Sequence, residues 1–173
     1  MRIFTFVLVL LVTSTLNAAT RNPEEYFFSQ TLGDLTEELE IAADDEKKAI
    51  LIMFEADDCP FCARMKKTVL NQPDVQDYYR ENFHILKMDI EGDVEITDFQ
   101  GNHTSMKDFS YKQFRVRATP VFAFFDLKGN MLKRSRYTGA MTSKEEFLQY
   151  GRFVAEGHNA KMPFSRYKRS LKK

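Results

Sequence analysis

One stretch decides the fold of this chain, namely Ala49-Ile50-Leu51-Ile52-Met53-Phe54-Glu55-Ala56-Asp57-Asp58-Cys59-Pro60-Phe61-Cys62-Ala63-Arg64-Met65-Lys66-Lys67. It begins with a short, almost wholly apolar run, which predicts a buried strand. Two acids follow, and a Cys-x-x-Cys pair then opens a segment that has no further glycine or proline before Pro73. That segment is typical of a helix. The pattern therefore predicts a buried strand that leads two thiols to a helix N-terminus.

This position favours thiol chemistry. The first backbone N–H groups of a helix lack internal partners and carry partial positive charge, which favours a thiolate at Cys59. Pro60 suits the first helical position, where its missing N–H costs nothing. Cys62 lies three residues on, on the same side of the helix and close enough for a disulfide with Cys59. We therefore predict Cys59 as the attacking thiol and Cys62 as the resolving thiol.

Composition indicates one globular domain. The chain has 173 residues, of which 43% are hydrophobic and 29% charged, and its formal net charge is zero. Basic residues cluster only in the tail, residues 159–173, so nucleic-acid binding has little support. The tail could be attracted to anionic lipid or to an acidic partner. We favour a frayed, solvated terminus, because Met162, Phe164 and Tyr167 are too few to predict an amphipathic helix.

The N-terminus resembles an export signal. Arg2 precedes an apolar run over residues 3–12, and small residues at Ala18 and Ala19 suit cleavage. We expect residues 1–19 to be a secretory signal peptide, with an uncleaved membrane anchor as the alternative. In an oxidising compartment, a disulfide that closes such a small loop would stabilise the fold little, which argues against a purely structural pair. The histidines show no zinc-finger spacing to the cysteines, so we expect no metal and no cofactor.

The rest of the chain alternates helix and strand patterns. Residues 20–48 are acidic and mostly helical in pattern, with an apolar stripe through Leu32, Leu35 and Leu39. A strand over residues 50–54, helices over 60–70 and 73–81, and a strand over 83–90 then predict a parallel βαβ unit.

An insertion and a hairpin follow this unit. Residues 91–106 are predicted as a small insertion with a hairpin, followed by a helix over 105–114. Strands over 121–125 and 131–137 predict a second, antiparallel hairpin. A last helix begins after Ser143, which forms a capping box with Glu146.

The element order resembles the thioredoxin fold, an α/β fold with a central mixed β-sheet flanked by helices. The resemblance covers residues 49–158, with the hairpin and helix insertion placed before the proline of the Thr119-Pro120 pair. It implies that Pro120 is cis and lies beside the cysteines, where Thr119 and Pro120 contact an extended substrate segment. A fixed cis X–Pro bond is uncommon and implies a defined role.

A narrower resemblance is to SoxW-type periplasmic thioredoxins. It rests on the export signal, on residues 54–62 and on the insert over residues 89–99. It implies a periplasmic protein that passes electrons from a membrane thiol transporter of the CcdA/DsbD kind to disulfides in exported proteins. We expect it to act as a monomer.

The chain departs from the thioredoxin pattern at several positions. Asp58 replaces the tryptophan common before the first cysteine, and Pro60-Phe61 replaces Gly-Pro between the cysteines. Met53 occupies the position of a buried acid that serves as proton acceptor. Glu55 is a candidate replacement for the proton relay, but we favour the interpretation of a solvated carboxylate at the end of the strand. Acidic charge before Cys59 would oppose thiolate formation.

These observations predict a thiol-disulfide oxidoreductase. We expect a reductase, because Phe61 replaces the histidine often found in strongly oxidising relatives. An oxidase or isomerase of the same fold is an alternative. From other classes, a Cu(I)-binding Cys-x-x-Cys module assisted by Met65, or a structural domain with unreactive thiols, would also fit the sequence.

Overall fold

The computed structural model describes residues 19–172, so the predicted signal peptide lies outside the described residues except for Ala19. The helices are α1 (Pro23–Tyr26), α2 (Leu35–Asp44), α3 (Pro60–Thr68), α4 (Pro73–Asn82), α5 (Met106–Asp108), α6 (Lys144–Ala155) and α7 (Phe164–Ser170). The strands are β1 (Ala49–Glu55), β2 (Phe83–Asp89), β3 (Glu95–Thr97), β4 (His103–Ser105), β5 (Val121–Phe125) and β6 (Tyr137–Thr138). None of the described helices is long and apolar enough to cross a membrane.

The central sheet has the strand order β2-β1-β5-β6. β1 pairs in parallel with β2, with Leu51 opposite Ile85, and antiparallel with β5, with Met53 opposite Phe122. The parallel pair is joined through α3 and α4, as a βαβ unit requires. The predicted mixed sheet flanked by helices is therefore confirmed.

The two faces of β1 enter different cores because successive side chains of a strand point to opposite faces. Leu51 and Met53 pack with residues of α3, α4, α6 and α7. Ile52 and Phe54 pack on the other face with residues of α2 and of the insertion. Glu55 has the same parity as Met53, so the strand directs it toward the face that α3 covers.

The insertion forms its own small sheet, in which β3 pairs antiparallel with β4. Its helical segment is α5 followed by a π-helical turn over Phe109–Gln113. The Thr97 N–H donates to the Gly33 carbonyl at 2.8 Å, which ties the insertion to the segment before α2.

Two matching turns bring the insertion against the main sheet. Asp98 and Asp126 each begin an Asp-x-x-Gly-Asn pentapeptide and accept backbone N–H bonds from the second and fourth residues that follow. The glycines Gly101 and Gly129 adopt φ angles of 82° and 78°. In addition, Gly129 packs so closely on Phe99 that a Cβ there would lie 2.4 Å from the Phe99 Cβ.

The N-terminal segment is less helical than predicted. Between α1 and α2 the chain is extended, the Ser29 N–H donates to the Ile85 carbonyl at 2.7 Å, and Gly33 has a φ of 93°. Leu32 is 96% exposed, so its placement in the apolar stripe was wrong. The stripe begins only at Leu35, the first residue after the N-cap Asp34.

The predicted strand over 131–137 was also largely wrong. It is reduced to one bridge between Met131 and Phe125 and to the short β6. Arg134 adopts a positive φ of 57°, and the Ser135 hydroxyl takes up both the N–H and the carbonyl of Phe124. The Phe124 carbonyl also accepts the Leu132 N–H at 2.7 Å, whereas the Ser135 side chain replaces the backbone acceptor that a second strand would have supplied for the Phe124 N–H.

The basic tail is ordered as α7, which corrects the expectation of a frayed terminus. Phe164 and Tyr167 are buried, and the ring centroid of Phe164 lies 5.3 Å from that of Tyr150 on α6. Ser143 caps α6 by accepting the Glu146 N–H, as predicted. The Glu146 carboxylate, however, bonds to Lys168 of α7. The tail packs on the domain because Phe164 and Tyr167 contact aromatic side chains of α6.

Candidate active site

The two cysteines form a disulfide at the N-terminus of α3. Cys59 is the N-cap residue, and the Cys62 N–H donates to its Sγ at 3.1 Å. The Cα atoms are 5.3 Å apart. Cys59 is 7% exposed and Cys62 only 2%, so Cys59 is the more accessible of the two sulfur-bearing residues. Pro60 occupies the first helical position.

Two electrostatic effects of opposite sign act on a thiolate at Cys59. The helix N-terminus and the Cys62 N–H both stabilise negative charge on its sulfur once the disulfide opens. Asp57 and Asp58 oppose that charge, but both are exposed, so water and salt screen them. The arrangement therefore favours a reactive thiolate at Cys59.

A small pocket of about 120 Å³ connects the disulfide with a partly buried ion pair. Glu55, Cys59, Cys62 and Lys66 all line it. The Lys66 Nζ lies 2.7 Å from a carboxylate oxygen of Glu55 and 2.7 Å from one of Glu24. Glu55, the candidate relay, thus shares a pocket with both cysteines, and its side chain is only 14% exposed, which corrects the expectation of a solvated carboxylate.

Glu24 and Glu55 stabilise the charged form of Lys66. Partial burial alone would lower the pKa of Lys66, but the hydrogen bonds and charges of Glu24 and Glu55 outweigh it and raise that pKa. For Glu24, partial burial is likewise outweighed by Lys66 and Lys87, which lower the pKa of its carboxyl. Lys66 therefore remains an ammonium group beside Glu55 at neutral pH.

The Thr119–Pro120 peptide bond is cis. Val121, the next residue, pairs with Phe54 near the end of β1, so this bond lies at the same end of the sheet as Cys59. Pro120 is buried and Thr119 is half-buried. Phe61, between the cysteines, is 53% exposed, and the Arg64 guanidinium lies 5.3 Å from its ring.

Within residues 19–172, no group of three or more His, Cys, Asp or Glu could hold a metal ion. Met65, the residue suggested as a further Cu(I) ligand, is completely buried in the core beneath α3.

Sequence reasoning missed the partners of Glu55. Lys66 follows Cys62 by four residues, so helical spacing could have placed both on the same side of α3. Glu24 gave no such signal, because only the folded N-terminal segment brings it to Lys66. The buried contact between Glu38 of α2 and His84 of β2, at 2.5 Å, was missed for the same reason.

The fold and the cysteine disulfide at the start of α3 define a protein of the thioredoxin class. The family model described as a thioredoxin-like domain matches residues 35–155, and the chain belongs to that family. No curated protein sequence matches the chain significantly.

Solved structures share the fold at low sequence identity. A thioredoxin-fold protein from Helicobacter pylori has a TM-score of 0.56 and 22% identity, covering 73% of this chain and 81% of its own. DsbH oxidoreductase has a TM-score of 0.55 and 17% identity, with coverage of 77% and 89%. A thioredoxin from Thermus thermophilus has a TM-score of 0.53 and 22% identity, with coverage of 72% and 88%.

Proposed function

We propose that this protein is an exported thiol-disulfide oxidoreductase that reduces disulfides in periplasmic proteins. The observation that carries the proposal is the Cys59–Cys62 disulfide at the N-terminus of α3, in a pocket shared with Glu55. Export is supported by the apolar run over residues 3–12 and the small residues after it. The narrower resemblance to SoxW-type thioredoxins is part of this proposal.

The reaction proceeds by two exchanges that start from the reduced protein. The Cys59 thiolate attacks one sulfur of the substrate disulfide, a Cys59–substrate disulfide forms, and the other substrate sulfur leaves as a thiolate. The Cys62 thiolate then attacks the Cys59 sulfur, and the first substrate sulfur leaves. Two electrons have passed to the substrate, and the protein is left in the disulfide form seen here.

Glu55 serves as the base for the second exchange. Cys62 is almost fully buried, so its thiol needs a nearby acceptor before it can attack. Glu55 lines the same pocket, and Lys66 stabilises its negative charge at 2.7 Å. The proton therefore passes from the Cys62 Sγ to the Glu55 carboxylate, and Lys66 is the positioning residue.

Thr119 and Pro120 hold the substrate beside the disulfide. The cis bond leads into β5 at the end of the sheet that carries Cys59, where an extended segment of a protein substrate can lie along the backbone. Phe61 offers an exposed apolar surface at the same place. We expect a monomer to suffice.

The reduced form must be regenerated, because each turnover consumes two electrons. In an oxidising compartment the donor has to bring electrons from the other side of the membrane. A membrane thiol transporter of the CcdA/DsbD kind meets this requirement and is the electron donor that we propose.

Insulin reduction and trapping of mixed disulfides test the cysteine assignment. Cys59→Ser should abolish insulin reduction, whereas Cys62→Ser should accumulate a disulfide between Cys59 and the substrate. A Cys59→Ser protein that still reduces insulin contradicts the assignment.

The reduction potential of the Cys59/Cys62 couple, measured in graded glutathione buffers, tests the proposed direction of electron flow. A value near the thioredoxin range, about −270 mV, supports a reductase. A value nearer about −120 mV would mean a disulfide-introducing oxidase, and the proposed direction would be wrong.

A further inference from the structure

The outward side of α7 and its flanks form a strongly charged surface. We call it the basic face and define it by the exposed residues Lys161, Arg166, Arg169 and Lys172. It points outward because Phe164 and Tyr167, three residues apart, bury the opposite side of the helix. The docking of α7 therefore fixes these cations on one side of the molecule.

The charge of the basic face is not neutralised by neighbouring acids. The sequence contains no acid from Gly157 to Lys172. Of the acids on α6 and at its end, Glu146 bonds to Lys168, and Glu156 lies 3.1 Å from the Nε2 atom of His158. Glu145, also on α6, is exposed and forms no ion pair with the residues that the structure describes. Within residues 19–172, none of the ion pairs involves a member of the basic face.

The composition of the basic face suits a lipid surface. Clusters of about four to eight Lys and Arg residues on a helix surface are typical of proteins that bind anionic lipid headgroups. Leu171 is 50% exposed but lies on the side of Phe164 and Tyr167, so it is not part of this face. A single-stranded nucleic acid would instead need exposed rings for base stacking, but Phe164 and Tyr167 are buried.

We infer that the basic face binds the surface of a membrane that contains anionic phospholipids. The four cations pair with phosphate headgroups. This binding requires no redox chemistry, so it stands whether or not the proposed reductase function is correct.

Vesicle sedimentation with the full chain tests the inference. Binding to phosphatidylcholine vesicles is compared with binding to vesicles that also contain phosphatidylglycerol, and the first value accounts for the apolar N-terminal run. A variant with Arg166→Ser, Arg169→Ser and Lys172→Ser should lose affinity for the anionic vesicles on the order of 100-fold, at about five-fold per charge.

The matched control removes three exposed lysines elsewhere, through Lys107→Ser, Lys112→Ser and Lys128→Ser. Its net charge equals that of the α7 variant, but its affinity for anionic vesicles should stay close to that of the wild type. An equal loss in both triple variants would overturn the inference, because net charge alone would then explain binding. So would wild-type binding that does not increase with phosphatidylglycerol.

Duplex DNA serves as the competing anionic ligand. If the α7 substitutions weaken binding to DNA but leave binding to anionic vesicles unchanged, the face recognises nucleic-acid phosphates and the lipid assignment is wrong. Unchanged urea midpoints and circular dichroism spectra would show that the variants are folded, which we expect because the substituted side chains are exposed.

Discussion

At the scale of single residues, the ionisable groups near the cysteines are Glu55 and Lys66, because Met53 has none. Met53 lies six residues before Cys59 in the strand and is completely buried. Its side chain is apolar and cannot accept a proton. Glu55 lies one alternation further along the same face, at the more open end of β1. Its contact with Lys66 at 2.7 Å holds a carboxylate in the pocket that both cysteines line.

Replacing Glu55 by glutamine should slow the release of mixed disulfides. The amide cannot accept the Cys62 proton, so we expect insulin reduction at neutral pH to fall on the order of 100-fold. The loss should shrink at higher pH, where the Cys62 thiol ionises without help. Stopped-flow kinetics across a pH series measures both effects.

Asp57→Asn is the matched control for this substitution. Asp57 lines the same pocket but is exposed, and it should leave the pH profile nearly unchanged. An unchanged pH profile in Glu55→Gln would show that Glu55 takes no proton from Cys62.

At the scale of elements, the two Asp-x-x-Gly-Asn turns offer a test of packing within one sequence motif. Gly101 and Gly129 have nearly the same positive φ. A Cβ at Gly101 would meet nothing within 4 Å, whereas one at Gly129 would lie 2.4 Å from Phe99. The two turns thus separate the cost of backbone conformation from the cost of steric overlap.

Gly101→Ala should lower the free energy of unfolding by about 1 kcal/mol, the cost of a left-handed L-residue. Gly129→Ala carries the same cost and should lose about 2 kcal/mol more, because Phe99 is buried and must shift. Urea denaturation measures both values. Equal losses would mean that Phe99 moves aside freely.

The packing of α7 gives a second prediction at this scale. Phe164→Ala removes a buried ring in contact with α6 and should lower the free energy of unfolding by about 3 kcal/mol. Arg166→Ala, on the solvent side of the same helix, should change it by less than about 0.5 kcal/mol. Equal urea midpoints for these two variants would contradict the docked position of α7.

The sequence predicted those elements whose signals are local. β1, α3 and the Ser143 cap each follow from a short pattern, and the resemblance to the thioredoxin fold supplied the mixed sheet flanked by helices. The prediction for Leu32 was wrong because the chain turns at Gly33, which has a positive φ. The prediction of the second hairpin strand was wrong because the Ser135 hydroxyl, instead of a paired strand, accepts the Phe124 N–H. The position of Glu24 depends on contacts across the fold, which no local pattern contains.

At the scale of the whole molecule, buried tyrosines join α4 to α6 and α6 to the segment between β5 and β6. The Tyr79 hydroxyl donates to the Phe147 carbonyl at 2.6 Å, and the Tyr150 hydroxyl bonds to the Ser135 carbonyl. Complete burial raises the pKa of both phenols well above their ordinary value. The native state therefore keeps protons that unfolded tyrosines release near pH 10.

Stability should consequently be constant at neutral pH and fall above about pH 10, where the unfolded chain loses these protons first. Urea midpoints measured from about pH 8 to about pH 11 should show this decline. Tyr79→Phe should make the decline shallower, although it lowers stability at neutral pH through the lost hydrogen bond.

Tyr26→Phe, at a side chain that is 46% exposed, should leave the pH dependence as it is. A wild-type midpoint that stays flat across this range would contradict the role of the buried phenols.

The core to which α7 contributes Phe164 and Tyr167 also has a consequence for the order of events during synthesis. Phe27 and Phe164 belong to the same core, yet 137 residues separate them. At the usual speed of translation the second appears about 7 to 27 s after the first. During that interval the nascent chain holds an unfinished hydrophobic surface, which gives chaperones time to bind it before folding ends.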